Sequence, residues 1–259
     1  MNPWHSLEGK SVWVTGGAGH LGAVITAELD RLCRQVVCFD LPGRAEALVR
    51  TQNLTRTLAR SLDVSDAALL PAALEAEIAK SGLPHSLVHL ATASSSGRTL
   101  ENLMPGEFQN TLDRTLPSTF VLCRALAERM KARGSGSIVL FSSMYGVVAP
   151  DPRIYPEPMT PNPIDYGVAK AAILQLTRYL AVHYGAAGIR FNCITPGPFP
   201  NPGVQQANPA FIGELAKKTA LRRIGRNSEI VGPVLFLLTD SASYVTGHSL
   251  VVDGGWTAW

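Results

Sequence analysis

The stretch Ser11-Val-Trp-Val-Thr15-Gly-Gly-Ala-Gly-His20-Leu-Gly22 decides the fold. Its first five residues are a short apolar run, the pattern of a buried strand. Gly17, Gly19 and Gly22 then fit G-x-G-x-x-G, and Leu21, Val24, Ile25, Leu29 and Leu32 recur at helical spacing. A strand, a glycine turn and a helix in that order carry backbone N–H groups to a pyrophosphate at the helix N-terminus. Glycine-rich turns alone are common; the flanking strand and helix give this one its meaning. Gly16, Gly17, Gly19, His20, Leu21 and Gly22 are therefore expected at a nucleotide.

The next strand, Gln35–Asp40, ends in an acid eighteen residues beyond Gly22 and next to Leu41. A carboxylate there accepts hydrogen bonds from an adenosine ribose and repels a 2′-phosphate, which favours NAD over NADP. Arg44 is the nearby group that would serve a phosphate instead. Further on, Leu62-Asp63-Val64 is read as a third apolar step, Ser65 as a helix N-cap, Ala67–Lys80 as a helix and Ser86–Thr92 as strand four. Phe108–Arg133 has helical spacing, with Pro117 expected to kink it, and Ser137–Ser143 is strand five. The segment Val147–Pro163 holds six prolines, which exclude a regular helix or central strand. It is expected to be a stiff loop walling the substrate. Asp165–Tyr184 (helix), Ile189–Thr195 (strand), Ala207–Ala220 (helical lid), Glu229–Leu238 (helix) and His248–Asp253 (strand) complete the chain. Strands alternating with helices predict a Rossmann-like α/β fold: a doubly wound sheet of about seven parallel strands with helices on both faces. We expect one domain over 1–259, its nucleotide-binding half at about 1–135 and its catalytic half at about 136–259.

The chemistry is expected at Tyr166-Gly-Val-Ala-Lys170. Residues four apart share a helix face, so an ammonium lies near a phenol and is expected to lower its pKa. Such a phenol exchanges a proton with an alcohol near neutral pH. Ser143, at a strand's carboxyl end, brings a hydroxyl to the same place.

At 259 residues the chain is long enough for a full core. Its net charge of +3 is scattered, without a basic block, so no nucleic-acid or membrane partner is expected. Cys33, Cys38, Cys123 and Cys193 show no metal or redox spacing and are read as structural thiols, which suits a cytoplasmic protein. There is no signal-like N-terminus and no apolar run long enough to span a bilayer. No metal constellation is expected. His20, His89 and His248 are read as packed or surface histidines, and Trp256 and Trp259 as buried against the core or a subunit contact.

Along essentially its whole length the sequence resembles the short-chain dehydrogenase/reductase family. The carriers are Thr15-Gly-x-x-Gly-x-x-Gly22, Leu62-Asp63-Val64, Ser143, Tyr166-x-x-x-Lys170, Pro196-Gly197, Tyr244-Val-Thr-Gly247 and Asp253-Gly-Gly255. The resemblance implies an NAD-dependent oxidoreductase interconverting a secondary alcohol and a ketone. Tyr166 would be the general acid/base, Lys170 would bind the nicotinamide ribose, and Ser143 would hold the substrate oxygen. Asp63, Val64 and Ala91 would lie by the adenosine; Pro196, Gly197 and Phe199 would lie by the nicotinamide, with Tyr145 and Phe199 touching substrate. Homotetramers or homodimers paired through the two long helices are expected. Three departures stand out: His89-Leu-Ala-Thr92 replaces the family's Asn-Asn-Ala-Gly, His20 occupies a usual glycine position, and Thr115 stands for the Asn of a proton relay. The segments after Ser143 and Pro196 also resemble oxidoreductases of bacterial surface-sugar and flagellin-modification pathways, which suggests a sugar-like, polyhydroxylated substrate. The alternatives are a 3-oxoacyl thioester or other ketone, a turnover-free nucleotide sensor, and an epimerase or dehydratase.

Overall fold

The computed structural model describes residues 7–95 and 97–259. Strands β1 (Ser11–Thr15), β2 (Gln35–Asp40), β3 (Thr57–Ser61), β4 (Ser86–His89), β5 (Gly136–Phe141), β6 (Ile189–Pro196) and β7 (Ser249–Val252) form one sheet. Its order is β3-β2-β1-β4-β5-β6-β7, and each neighbouring pair is parallel. Strand order reverses between β1 and β4, and there the carboxyl ends open a crevice fit for a ligand.

Helices α1 (His20–Leu32), α2 (Arg44–Gln52), α3 (Leu70–Ser81), α4 (Pro105–Met130), α5 (Ile164–Tyr184), α6 (Pro202–Ala207), α7 (Pro209–Lys218) and α8 (Val231–Leu238) surround the sheet. The twofold period of a strand sorts its side chains between two cores. Trp13, Val37, Leu87 and Ile138 pack with Leu74, Leu126 and Leu180 of α3, α4 and α5 on one face. Val12, Val14, Val36, Val88 and Val139 pack with Ile25, Leu29, Val234 and Leu238 of α1 and α8 on the other. Both faces being covered explains why the central strands are continuous apolar runs rather than alternating ones.

Several expectations change. The third strand is Thr57–Ser61, and Leu62-Asp63-Val64 follows it. An edge strand half open to solvent has a polar sequence, so the apolar step drew attention to the wrong residues. Ser65 is not a helix cap; its amide and hydroxyl both donate to Asp63 Oδ1, at 2.9 and 2.7 Å, and α3 begins only at Leu70. α4 runs on through Pro117 without a break, from Pro105 to Met130. The next two residues there donate their hydroxyls to the helix: Ser118 Oγ to Arg114 O at 2.9 Å and Thr119 Oγ1 to Thr115 O at 2.6 Å. The helix expected over Ala207–Ala220 is α7, Pro209–Lys218, and a separate short helix, α6, comes before it, because Asn208 leaves helical geometry (φ −137°, ψ 62°) ahead of Pro209. Glu229 and Ile230 belong to a 3₁₀ turn, Asn227–Ile230, ahead of α8.

Candidate active site

The glycine turn leaves β1 with Gly16 at φ +69°, a conformation that favours glycine. A Cβ on Gly16 would also lie 2.9 Å from the Ala91 amide, so the turn presses directly against the segment after β4. Gly22 lets α1 close over the turn, since a Cβ there would stand 2.2 Å from Gly16 O. Gly19 caps α1 without a side-chain bond. The first amides of α1 have no intrahelical carbonyl and form an anion site at the cleft. Gly17 departs from expectation. It faces inward, where its Cβ would meet Cys38 Sγ at 2.7 Å and Thr26 Oγ1 at 2.9 Å. Its role is to let β1, β2 and α1 approach, not to line the cleft.

Two adjoining cavities share Gly16 and Gly19. The first, of about 280 Å³, is bordered by Asp40, Leu41, Asp63, Val64 and Ala91. Asp40 is buried at the end of β2. Its Oδ2 accepts the Ala18 amide at 2.9 Å, and its Oδ1 accepts the Leu41 amide at 2.9 Å and faces Arg44 Nη1 at 3.3 Å. Asp63 is held below the usual carboxylate range by the Ser65 hydroxyl and amide, and Arg114 Nη2 lies 3.3 Å from its Oδ2. Arg114 borders this cavity as well. Nothing in the sequence pointed to it, because α4 brings it there from 51 residues away.

The second cavity, of about 290 Å³, gathers His20, Leu21 and Gly22 with Ser143, Tyr166, Lys170, Pro196, Gly197 and Phe199. With Leu90 and Thr92, residues from five separate stretches of sequence thus converge at the carboxyl ends of β1, β4, β5 and β6. Lys170 is buried, and its Nζ donates to Phe141 O at 2.9 Å. Ser142 Oγ donates to Lys170 O at 2.7 Å, so the end of β5 and the start of α5 are tied in both directions. Burial lowers the Lys170 pKa to about 8. Ser143 Oγ accepts the Tyr145 amide at 3.1 Å and is hydrogen-bonded to the Tyr166 phenol.

Tyr166 corrects one expectation. Its pKa is raised, not lowered: burial pushes it up and the Ser143 hydroxyl offsets part of that rise. The physical reason is geometric. The Lys170 ammonium points to the Phe141 carbonyl and stands 5.6 Å from the Tyr166 ring centroid, so it is not directed at the phenol oxygen. In this state the phenol keeps its proton at neutral pH and is a hydrogen-bond donor beside Ser143.

Thr115 and Tyr145 also fall outside this cavity. Thr115 is buried and its Oγ1 accepts the Ala93 amide at 3.4 Å, which fastens the loop after β4 to α4. Tyr145 is buried, with its hydroxyl 2.7 Å from that of Tyr155 and a further bond to Asn162. It backs Ser143 through its amide. The proline-rich segment lines neither cavity; its Val148, Ile154, Tyr155 and Met159 pack in one cluster with Tyr166, Phe211 of α7 and Trp256. Tyr155 and Phe211 rings lie 5.0 Å apart, and Lys218 at the end of α7 bonds Asp151. Trp256 packs edge-on to Tyr145 at 6.5 Å, whereas Trp259 is exposed, its indole N–H donating to Lys218 O at 3.2 Å.

His89, where the family has Asn, is fully enclosed between Thr15 Oγ1 at 2.6 Å and Thr119 Oγ1 at 2.9 Å. Thr119 gives its own proton to Thr115 O, so it accepts from His89 Nε2–H, and His89 Nδ1 accepts from Thr15. Burial, aided by Lys170, lowers the His89 pKa to about 3, leaving it neutral. Asp165, beside Tyr166, is fully buried and accepts the Ser95 amide at 3.0 Å and hydroxyl at 2.8 Å. It joins the loop after β4 to the first turn of α5. Among the described residues no cluster of His, Cys, Asp and Glu fits a metal ion.

A doubly wound parallel sheet with a glycine turn at its switch point and a Ser–Tyr–Lys set at its carboxyl edge defines a nucleotide-dependent oxidoreductase class. A family model described as enoyl-(acyl carrier protein) reductase matches residues 17–257, and the chain belongs to the short-chain dehydrogenase/reductase family. It is 32% identical over 258 residues to galactitol 2-dehydrogenase of Rhizobium johnstonii, covering 98% of this chain and 97% of that one. A short-chain dehydrogenase of Leptospira borgpetersenii with bound NAD⁺ superposes with TM-score 0.86 at 30% identity, covering 99% and 96%. A gluconate 5-dehydrogenase of Burkholderia cenocepacia in complex with NADP and tartrate also gives 0.86, at 25% identity, covering 99% and 98%. Alcohol–ketone oxidoreduction is the chemistry of this family neighbourhood.

Proposed function

We propose that the protein is an NAD(H)-dependent oxidoreductase that interconverts a secondary alcohol and a ketone on a polyhydroxylated, sugar-like small molecule. The observation that carries this reading is the convergence of Ser143, Tyr166 and Lys170 on one cavity with the turn Gly16–Gly22 and with Pro196-Gly197. The cleft fits a dinucleotide: a turn in which Gly16 and Gly22 leave no room for a Cβ, uncapped amides of α1, and an adjoining cavity ending at a buried carboxylate. When bound, the nicotinamide supplies or accepts the hydride. Ser143 would hold the substrate oxygen. Tyr166, protonated in its buried position, would donate to a ketone and take the proton back from an alcohol. Lys170, fixed by Phe141 O, would face the ribose.

Asp40 supports NAD over NADP, because a 2′-phosphate would meet a buried carboxylate. The galactitol-oxidising relative supports a polyol-like substrate. A carrier-bound thioester would call for a basic patch, and the clustered arginines are engaged within the chain: Arg222 Nη1 donates to Lys217 O at 2.7 Å, Arg223 is bound twice by Glu229, at 2.7 Å each, and Arg226 lies 3.2 Å from the same carboxylate. Phe120 of α4 and Val168, Tyr179 and Val182 of α5 expose apolar surface, which supports pairing of copies through these two helices. Four buried free thiols suit a reducing compartment such as the cytoplasm.

The test is NADH absorbance against polyols, sugar acids and 3-oxoacyl thioesters, with NAD and NADP run in parallel. Turnover of a polyol with NAD preferred is expected. Tyr166→Phe should remove turnover and leave NADH affinity within about twofold; a variant as active as the parent ends the catalytic assignment.

A further inference from the structure

We propose that His20 is a titrating anchor for the cofactor's phosphates, so that cofactor binding draws a proton onto the protein. The inference rests on the reading that the cleft takes NAD(H). His20 is the first residue of α1, and its half-buried side chain borders the cavity that also holds Ser143, Tyr166 and Lys170. Among the described residues its ring makes no hydrogen bond. An unpartnered imidazole therefore stands beside the uncapped amides of α1, where the cleft is built for an anion.

The charges around it leave this role open. From α5, Lys170 and the phenol of Tyr166 face the same cavity. From β2, Asp40 is occupied by the Ala18 and Leu41 amides and by Arg44. The 3₁₀ turn packed on α1 carries Glu229, which is bound by Arg223 and Arg226. β1 and α8 contribute no charged side chain. No carboxylate thus holds His20 in its charged form, and partial burial lowers its pKa below the ordinary 6.5. The free protein carries it neutral at pH 7. A pyrophosphate dianion beside it favours imidazolium and raises its pKa. Between the free and bound pKa values, binding takes up a proton, and affinity rises as pH falls through the bound pKa. Below the free pKa the gain is complete. A neutral amide or a phenyl ring in this place cannot show that linkage.

The experiment measures NADH affinity by fluorescence titration at about pH 6 and pH 7.5, and proton uptake by calorimetry in two buffers of different ionisation enthalpy. Each unit of pKa rise is tenfold in affinity, so the parent protein should bind about three- to tenfold more tightly at the lower pH. The gain and the proton uptake should vanish in both His20→Gln and His20→Phe. Two variants of different shape separate loss of titration from a local packing fault. If the parent shows no pH dependence in this window, or if either variant keeps it with full proton uptake, His20 is not the anchor, while the cofactor reading stands. If neither NADH nor NADPH binds the parent, both readings fall.

Discussion

His89 makes the protein acid-sensitive in a way that can be isolated. The folded state holds this ring neutral between two threonine hydroxyls, with its pKa lowered to about 3. In the unfolded chain a histidine titrates near 6.5. Between these values the unfolded state binds the extra proton, so stability falls as pH drops below about 6.5 and continues to fall towards about 3. At pH 5 the unfolded ring is protonated by about 1.5 units of driving force at 1.36 kcal/mol each, so this one residue should cost about 2 kcal/mol relative to pH 7.5. Urea unfolding of the parent and of His89→Asn at the two pH values provides the assay. Asn lacks the titration yet keeps a donor and an acceptor for Thr119 and Thr15. The variant should be less stable at pH 7.5 but lose about 2 kcal/mol less on going to pH 5. Carboxylate contributions are common to both proteins and cancel in the difference. Parallel losses in parent and variant would refute the neutral, buried assignment.

Asp40→Ala should weaken NADH binding and narrow or reverse the preference over NADPH, with Arg44 released to meet a 2′-phosphate; titration with both cofactors checks this, and an unchanged preference would remove Asp40 as the discriminator. For Lys170, whose pKa is lowered to about 8, the ammonium is lost as pH rises through that value, so kcat/KM for ketone reduction should decline above about pH 8; a flat profile to pH 9.5 would contradict it. The four cysteines are buried and free, and burial raises the Cys33, Cys38 and Cys193 thiols to about 12. Ellman's reagent should therefore label none in the native protein and all four in denaturant, and rapid native labelling would mean that the core opens.

The sequence by itself determined the architecture. The central strands are buried on both faces, so β1, β2, β4, β5 and β6 had to be written as apolar runs, and helical spacing between them left only a parallel, doubly wound sheet. The candidate site's chemical groups were legible as well, because a glycine turn, a terminal acid and a Tyr–Lys pair four apart each have a local physical meaning. Tertiary structure decided what depends on direction and environment. Whether Gly17 faces the cleft or Cys38 depends on how β1 meets β2. Whether Lys170 lowers the Tyr166 pKa depends on where its ammonium points, and the Phe141 carbonyl, 29 residues away in sequence, takes it. Edge strand β3 was obscured because a half-solvated strand carries little apolar signal. Arg114 beside Asp63, Ser95 on Asp165 and the Thr15–His89–Thr119 bridge join residues 30 to 74 positions apart, and no local pattern encodes such contacts. Periodicity records which face of an element is buried; only the packed fold fixes which groups meet there, and burial and hydrogen bonding then set their protons.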